Sequence, residues 1–123
     1  MIAYRISGPD VLEVLKKLTK KNFSKDHSRV RFVKLYKNGG QLLDECSVVY
    51  FKSPKSFTGE DVCEVFLHGS PLIASQFEQT LKKFKIPGLR LAKNGEFSYR
   101  SVLNSKNSLK QAKAINQIIS NDS

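Results

Sequence analysis

Cysteine is scarce in this sequence and is not arranged for chemistry. Cys46 and Cys63 lie in apolar stretches and form no CxxC pair, so neither a zinc site nor a dithiol redox motif is indicated, and buried free thiols are expected. Long apolar runs are missing as well. None approaches the ~18–20 residues of a membrane span, and Met1 is not followed by a charged-then-apolar signal pattern, so the expectation is a soluble intracellular domain. No repeat or low-complexity segment occurs. The absence of GxxxxGK[ST] excludes a P-loop within this chain, and neither His27 nor His68 stands near a GxSxG nucleophile elbow, so structural roles are expected for both. Acidic residues are in short supply. Eleven of them face 21 lysines and arginines, a net charge of +10, which points to an anionic partner such as RNA, a phosphorylated ligand or a polyglutamate tail.

With 123 residues, 40% of them hydrophobic, the chain has material for one core and too little length for a second domain. Its charge is uneven. Residues 1–43 carry ten Lys/Arg against three acids and residues 65–123 nine against three, whereas residues 44–64 reverse the balance, two against five. Composition favours a solvated surface for this acidic island of Asp44, Glu45, Glu60, Asp61 and Glu64 over a site that needs carboxylates.

Ile2 to Gly8 alternates apolar and polar residues, the pattern of a short strand entering a turn. Pro9-Asp10 then opens an amphipathic helix, with Val11, Leu12, Val14, Leu15 and Leu18 on one face and Glu13, Lys16, Lys17, Lys20 and Lys21 on the other. Residues 30–37 and 42–52 read as strands joined through Asn38-Gly39-Gly40, a hairpin turn. After a loop over 53–59, Val62 to Phe66 suggests another strand. Pro71 suits the first turn of a helix reaching about Phe84, with Leu72, Ile73, Phe77, Leu81 and Phe84 as its buried stripe. Leu89 to Ala92 is expected as a short strand and Asn94 to Phe97 as a loop; Leu109, Ala112, Ile115, Ile118 and Ile119 then fall at helical spacing. These elements predict an α+β domain, a mixed or antiparallel sheet covered by two to three helices.

Three segments combine small residues with charge: Ser56-Phe57-Thr58-Gly59-Glu60-Asp61-Val62, His68-Gly69-Ser70-Pro71, and Gly95-Glu96-Phe97-Ser98-Tyr99-Arg100 running into Leu103-Asn104-Ser105-Lys106. Glycine lets a backbone turn sharply or approach a ligand, and the neighbouring charges can supply oriented hydrogen bonds, although turns and caps account for the same residues. In order and spacing these segments, with Arg5-Ile6-Ser7-Gly8, resemble the amino-terminal domain of the TrmE (also MnmE) GTPases over essentially the whole chain.

That resemblance implies a fold similar to the folate-binding fold of glycine-cleavage aminomethyltransferase, with residues 1–107 forming a folate-binding and dimerising domain and 108–123 the start of a helical region. Against the family pattern, the first strand and the Gly/Arg-rich loop that lead into the arginine are expected to be missing from this domain. The family acts with a GidA/MnmG-type flavoprotein to modify the wobble uridine of tRNA at carbon 5 in the cytoplasm, or in mitochondria for a eukaryotic parent. Its first domain pairs in a homodimer and holds 5-formyltetrahydrofolate, whereas GTP, K+ and Mg2+ belong to a separate GTPase domain. Matched position by position, the site residues are Arg5, Glu64 and Lys106. Glu64 is expected on the pterin and the two cations on polar or anionic groups. The sequence departs from the family pattern at Ser70, Asn94, Asn107-Ser108 and Lys113. The alternative reading is a basic RNA- or protein-contacting module without folate, using Lys16, Lys17, Lys20, Lys21 and Lys25, or Lys82, Lys83 and Lys85.

Overall fold

The computed structural model describes residues 1–104. The first strand, β1 (Ile2–Ser7), leads into α1 (Val11–Thr19). Strands β2 (Val30–Tyr36), β3 (Leu42–Phe51) and β4 (Val62–Leu67) follow, then α2 (Pro71–Lys83) and α3 (Glu96–Leu103). The strands form one sheet in the order β1-β4-β3-β2, with every neighbouring pair antiparallel. The α+β expectation therefore holds, and the sheet is antiparallel throughout.

Alternation along the strands divides the sheet into two faces. Tyr4, Ile6, Cys63, Val65, Val48, Tyr50, Val33 and Leu35 share the face that meets the helices. Val14, Leu15 and Leu18 of α1 and Phe77 of α2 are fully buried against it. Each such side chain contributes about 1.5–3 kcal/mol by leaving water. Tyr4 also ties β1 to α2: its ring lies 4.8 Å from that of Phe77, and its hydroxyl donates to Glu78 Oε2 at 2.5 Å.

Local signals set the ends of the elements. Ser70 caps α2 by accepting the Ile73 N–H, and Pro71 occupies the first turn, where no N–H is needed. Lys20 closes α1 in a left-handed conformation, its N–H donating to the Lys16 carbonyl. The hairpin turn at 38–40 is closed by Lys37 N–H to the Gln41 carbonyl, 2.7 Å.

Three expectations require correction. Leu89 to Ala92 is not a strand: Leu89 packs on the core, Leu91 is exposed, and Arg90 is drawn away to Glu96. The loop expected around Phe97 is instead the beginning of α3, started by Gly95 at φ +76°. In α2, Leu72 points to solvent, and the buried stripe runs through Ile73, Phe77, Thr80 and Leu81. The cysteines are buried and free as expected. Burial pushes the Cys46 thiol up to about 12, with the Asp44 carboxylate adding to it, and raises Cys63 in the same way.

Candidate ligand site on the open sheet face

The second face of the sheet carries Arg5 and Glu64 side by side, because Arg5 pairs in register with Glu64 across β1 and β4. Arg5 Nε donates to Glu64 Oε2 at 3.1 Å, with about a quarter of each side chain exposed. The guanidinium sits between two rings, 5.1 Å from the centroid of Phe57 and 5.7 Å from that of Phe97. Its two terminal nitrogens, and the second oxygen of Glu64, have no hydrogen-bond partner among the described residues. The pair is thus held rigidly on one side and left with donors and an acceptor on the other, a favourable arrangement for a ligand with a mixed hydrogen-bonding edge.

The segment from Ser56 to Asp61 builds the rim of this site, and each residue has a task. Ser56 Oγ donates to the Glu60 carbonyl and accepts the Gly59 N–H. Phe57 supports Arg5, while the fully buried Thr58 shares a 2.7 Å bond with Ser7 Oγ. Gly59 adopts φ +85°, open to glycine at little cost. Glu60 accepts from Ser7 Oγ at 2.7 Å and from Arg100 Nη1 at 2.9 Å. Asp61 fixes the loop at both ends: its carboxylate accepts Ser53 N–H at 2.8 Å, and its carbonyl accepts Gly8 N–H at 2.9 Å.

The helix α3 closes the other side. Arg100 reaches Glu60, the Ser7 carbonyl and Glu96, and Glu96 in turn holds Arg90 at 2.6 Å. Asn104 Nδ2 donates to the Thr58 carbonyl at 3.0 Å, completing the attachment. An open cleft of about 200 Å³ lies beside Arg100, lined by residues including Ser7, Pro9, Val14, Pro87 and Leu89. Arg5 and Glu64 are not among the residues that line it.

A family model described as GTP-binding protein TrmE N-terminus matches residues 1–106. The chain belongs to the TrmE family. It is 47% identical over 116 residues to the tRNA modification GTPase MnmE of Helicobacter pylori (strain HPAG1), a match covering 94% of this chain and 24% of that protein. The MnmE proteins of Rickettsia canadensis (strain McKiel) and Fervidobacterium nodosum are 45% and 41% identical over 119 residues, with 94% of this chain and 26% and 25% of those proteins covered. The chain spans about a quarter of the length of these curated relatives.

Of the residues matched to the TrmE pattern, the structure brings Arg5 and Glu64 into one ion pair. Lys106 and the boundary at 107/108 lie outside the described residues. The segments around Phe57 and Phe97 converge on this pair, but His68 to Pro71 does not. It follows the far end of β4, where Leu67 lies about 10 Å from Glu64 by strand rise. There His68 serves structure: its Nδ1 lies 2.9 Å from Asp44 Oδ1, and its N–H donates to the other oxygen. His27 likewise accepts the Lys52 N–H. Phe97 is buried, and Phe57 is half-buried. The acidic island corrects the compositional reading, since only Glu45 is exposed. Asp44, Glu60, Asp61 and Glu64 are committed to His68, Arg100, Ser53 and Arg5.

The ion-pair network makes the stability of this TrmE domain depend on acid. Arg90, then the Lys93 N–H and Arg100, hold the Glu96 carboxyl down at about 2 against the opposing effect of burial. A depressed carboxyl contributes stability that is complete above its ordinary value of 4.5 and lost as pH falls through about 2. Glu96→Gln is expected to cost about 1 kcal/mol at neutral pH, after allowance for solvent screening, and to flatten the loss of stability over that acid window. Urea unfolding as a function of pH checks it; a variant with the parent's slope in that window would remove Glu96 as the cause.

Proposed function

We propose that this chain is the amino-terminal module of a tRNA-modification GTPase, in which it binds 5-formyltetrahydrofolate and pairs with a second copy of itself. In this reading the complete protein works with a GidA/MnmG-type flavoprotein on the wobble uridine of tRNA. The observation that carries the folate assignment is the Arg5–Glu64 pair, braced by Phe57 and Phe97 and facing outward with hydrogen-bonding capacity to spare. A pterin presents adjacent N–H donors and acceptors on one edge. Glu64 would take the donors and Arg5 the neighbouring acceptors, while Lys106 would neutralise the anionic tail. When bound, the folate supplies a one-carbon unit; the protein's part is to hold and orient it. GTP hydrolysis, with its K+ and Mg2+, is assigned to a part of the protein beyond this chain, whose sequence contains no P-loop.

Self-association is supported by the same open face. Val30 and Phe32 stand 64% and 68% exposed there, beside the half-buried Phe51 and Phe66, and a second copy would remove them from water. Isothermal titration of the chain with 5-formyltetrahydrofolate, with light scattering in parallel, tests the proposal. Saturable binding to a dimer is the expected result. A well-folded chain that gives no heat would overturn the folate assignment, and a monomer at all concentrations would overturn the pairing.

A further inference from the structure

The five arginines and the lysines of this chain are used differently. Arg5, Arg29, Arg31, Arg90 and Arg100 each form an ion pair with a carboxylate. Lys16, Lys17, Lys20 and Lys21 at the end of α1, and Lys82 and Lys83 at the end of α2, are exposed and form no ion pair among the described residues. Four carboxylates thus offset most of the charge of the five arginines, and the uncompensated positive charge includes this lysine cluster.

Tertiary packing makes one surface of these two sets. Lys17 Nζ lies 5.9 Å from the ring centroid of Phe84, just past the end of α2, and Lys20 Nζ lies 5.6 Å from that of Tyr36, at the edge strand β2. The end of α1 therefore lies between the end of α2 and the sheet edge. Lys17 and Lys20 are flanked by two half-buried aromatic rings along the line Phe84, Lys17, Lys20, Tyr36. Lysines in a last helical turn complement the helix dipole wherever they occur, but that effect does not require two helices to end together or aromatic rings to flank the lysines.

We propose that this surface is an RNA-binding face, with the lysines contacting backbone phosphates and the Tyr36 and Phe84 rings offering planes to unpaired bases. A group of ammonium charges matches the repeating charge of a phosphate backbone, and aromatic rings beside them match the bases that a single-stranded loop exposes. The face lies on the helical side of the sheet, opposite Arg5 and Glu64. It stands whether or not the folate reading does.

The test is a fluorescence-anisotropy titration of the full chain with an unmodified tRNA transcript and with a single-stranded RNA oligomer, from about 50 to about 200 mM salt. With about five lysines engaged, log K is expected to fall against log salt with a slope of about −3.5. The double variant Lys17→Glu with Lys20→Glu is expected to weaken binding at least about tenfold. The pair Lys52→Glu with Lys55→Glu, equal in charge change but at the far end of β3, should change it less than about threefold. Tyr36→Ala should lower affinity without changing the slope. Folate titration of the lysine variants should match the parent, which keeps the two proposals separable. Equal losses from the two lysine pairs would show an effect of net charge alone and overturn the proposal. So would binding to phosphatidylglycerol vesicles with none to either RNA.

Discussion

Glu64→Ala is expected to weaken binding of 5-formyltetrahydrofolate by about 100-fold in isothermal titration, with the fold intact by circular dichroism. Two losses combine. The ligand loses a charged acceptor, worth about 1.5–3 kcal/mol when it receives N–H donors. Arg5 also loses the carboxylate at 3.1 Å that fixes its Nε, and among the described residues its guanidinium is left with the Phe57 and Phe97 rings. Glu64→Gln separates these effects, since it retains the shape and one acceptor but not the charge, and about a tenfold loss is expected. Folate affinity in Glu64→Gln equal to that of the parent would refute the role given to the carboxylate.

Arg100→Ala is expected to lower stability by about 2 kcal/mol and the thermal midpoint by roughly 8–15 °C. One guanidinium binds Glu60 on the loop, Glu96 on its own helix and the Ser7 carbonyl at the end of β1, and it is only about a quarter exposed. Removing it leaves, among the described residues, Glu60 bonded to Ser7 Oγ and Glu96 to Arg90 and the Lys93 N–H. It also frees α3, which brings Phe97 to Arg5. Arg100→Lys should recover less than half of the loss, because an ammonium cannot reproduce the fork that spans two carboxylates. Thermal unfolding followed by circular dichroism decides the matter. A midpoint within about 2 °C of the parent would show that the network is not what holds α3 in place.

Legibility along the chain followed the locality of the forces. The hairpin through Asn38-Gly39-Gly40, the helix after Pro9-Asp10 and the Ser70-Pro71 start of α2 were readable because turn chemistry, capping and a repeating apolar face act over a few residues. The short α3 was not. Eight residues are too few for a helix to form on propensity alone, and what holds this one is the contact of Arg100 with Glu60, forty positions away, and of Asn104 with Thr58. Arg90 shows the same limit: Leu89 to Ala92 carries a strand-like pattern, yet the pull of Glu96 six residues later decides its path.

The sequence by itself determined the α+β class, the strands and two main helices, the family pattern and the identity of Arg5 and Glu64 as residues of interest. Each of these is expressed in residue type and in spacing along the chain. The tertiary structure alone decided that Arg5 and Glu64 form a single pair, that most of the acidic island is spent on internal contacts, and that the lysines of α1 and α2 share one surface. Partners separated by tens of residues meet only through strand register and helix packing, and neither composition nor local periodicity records which side chains those place within bonding distance.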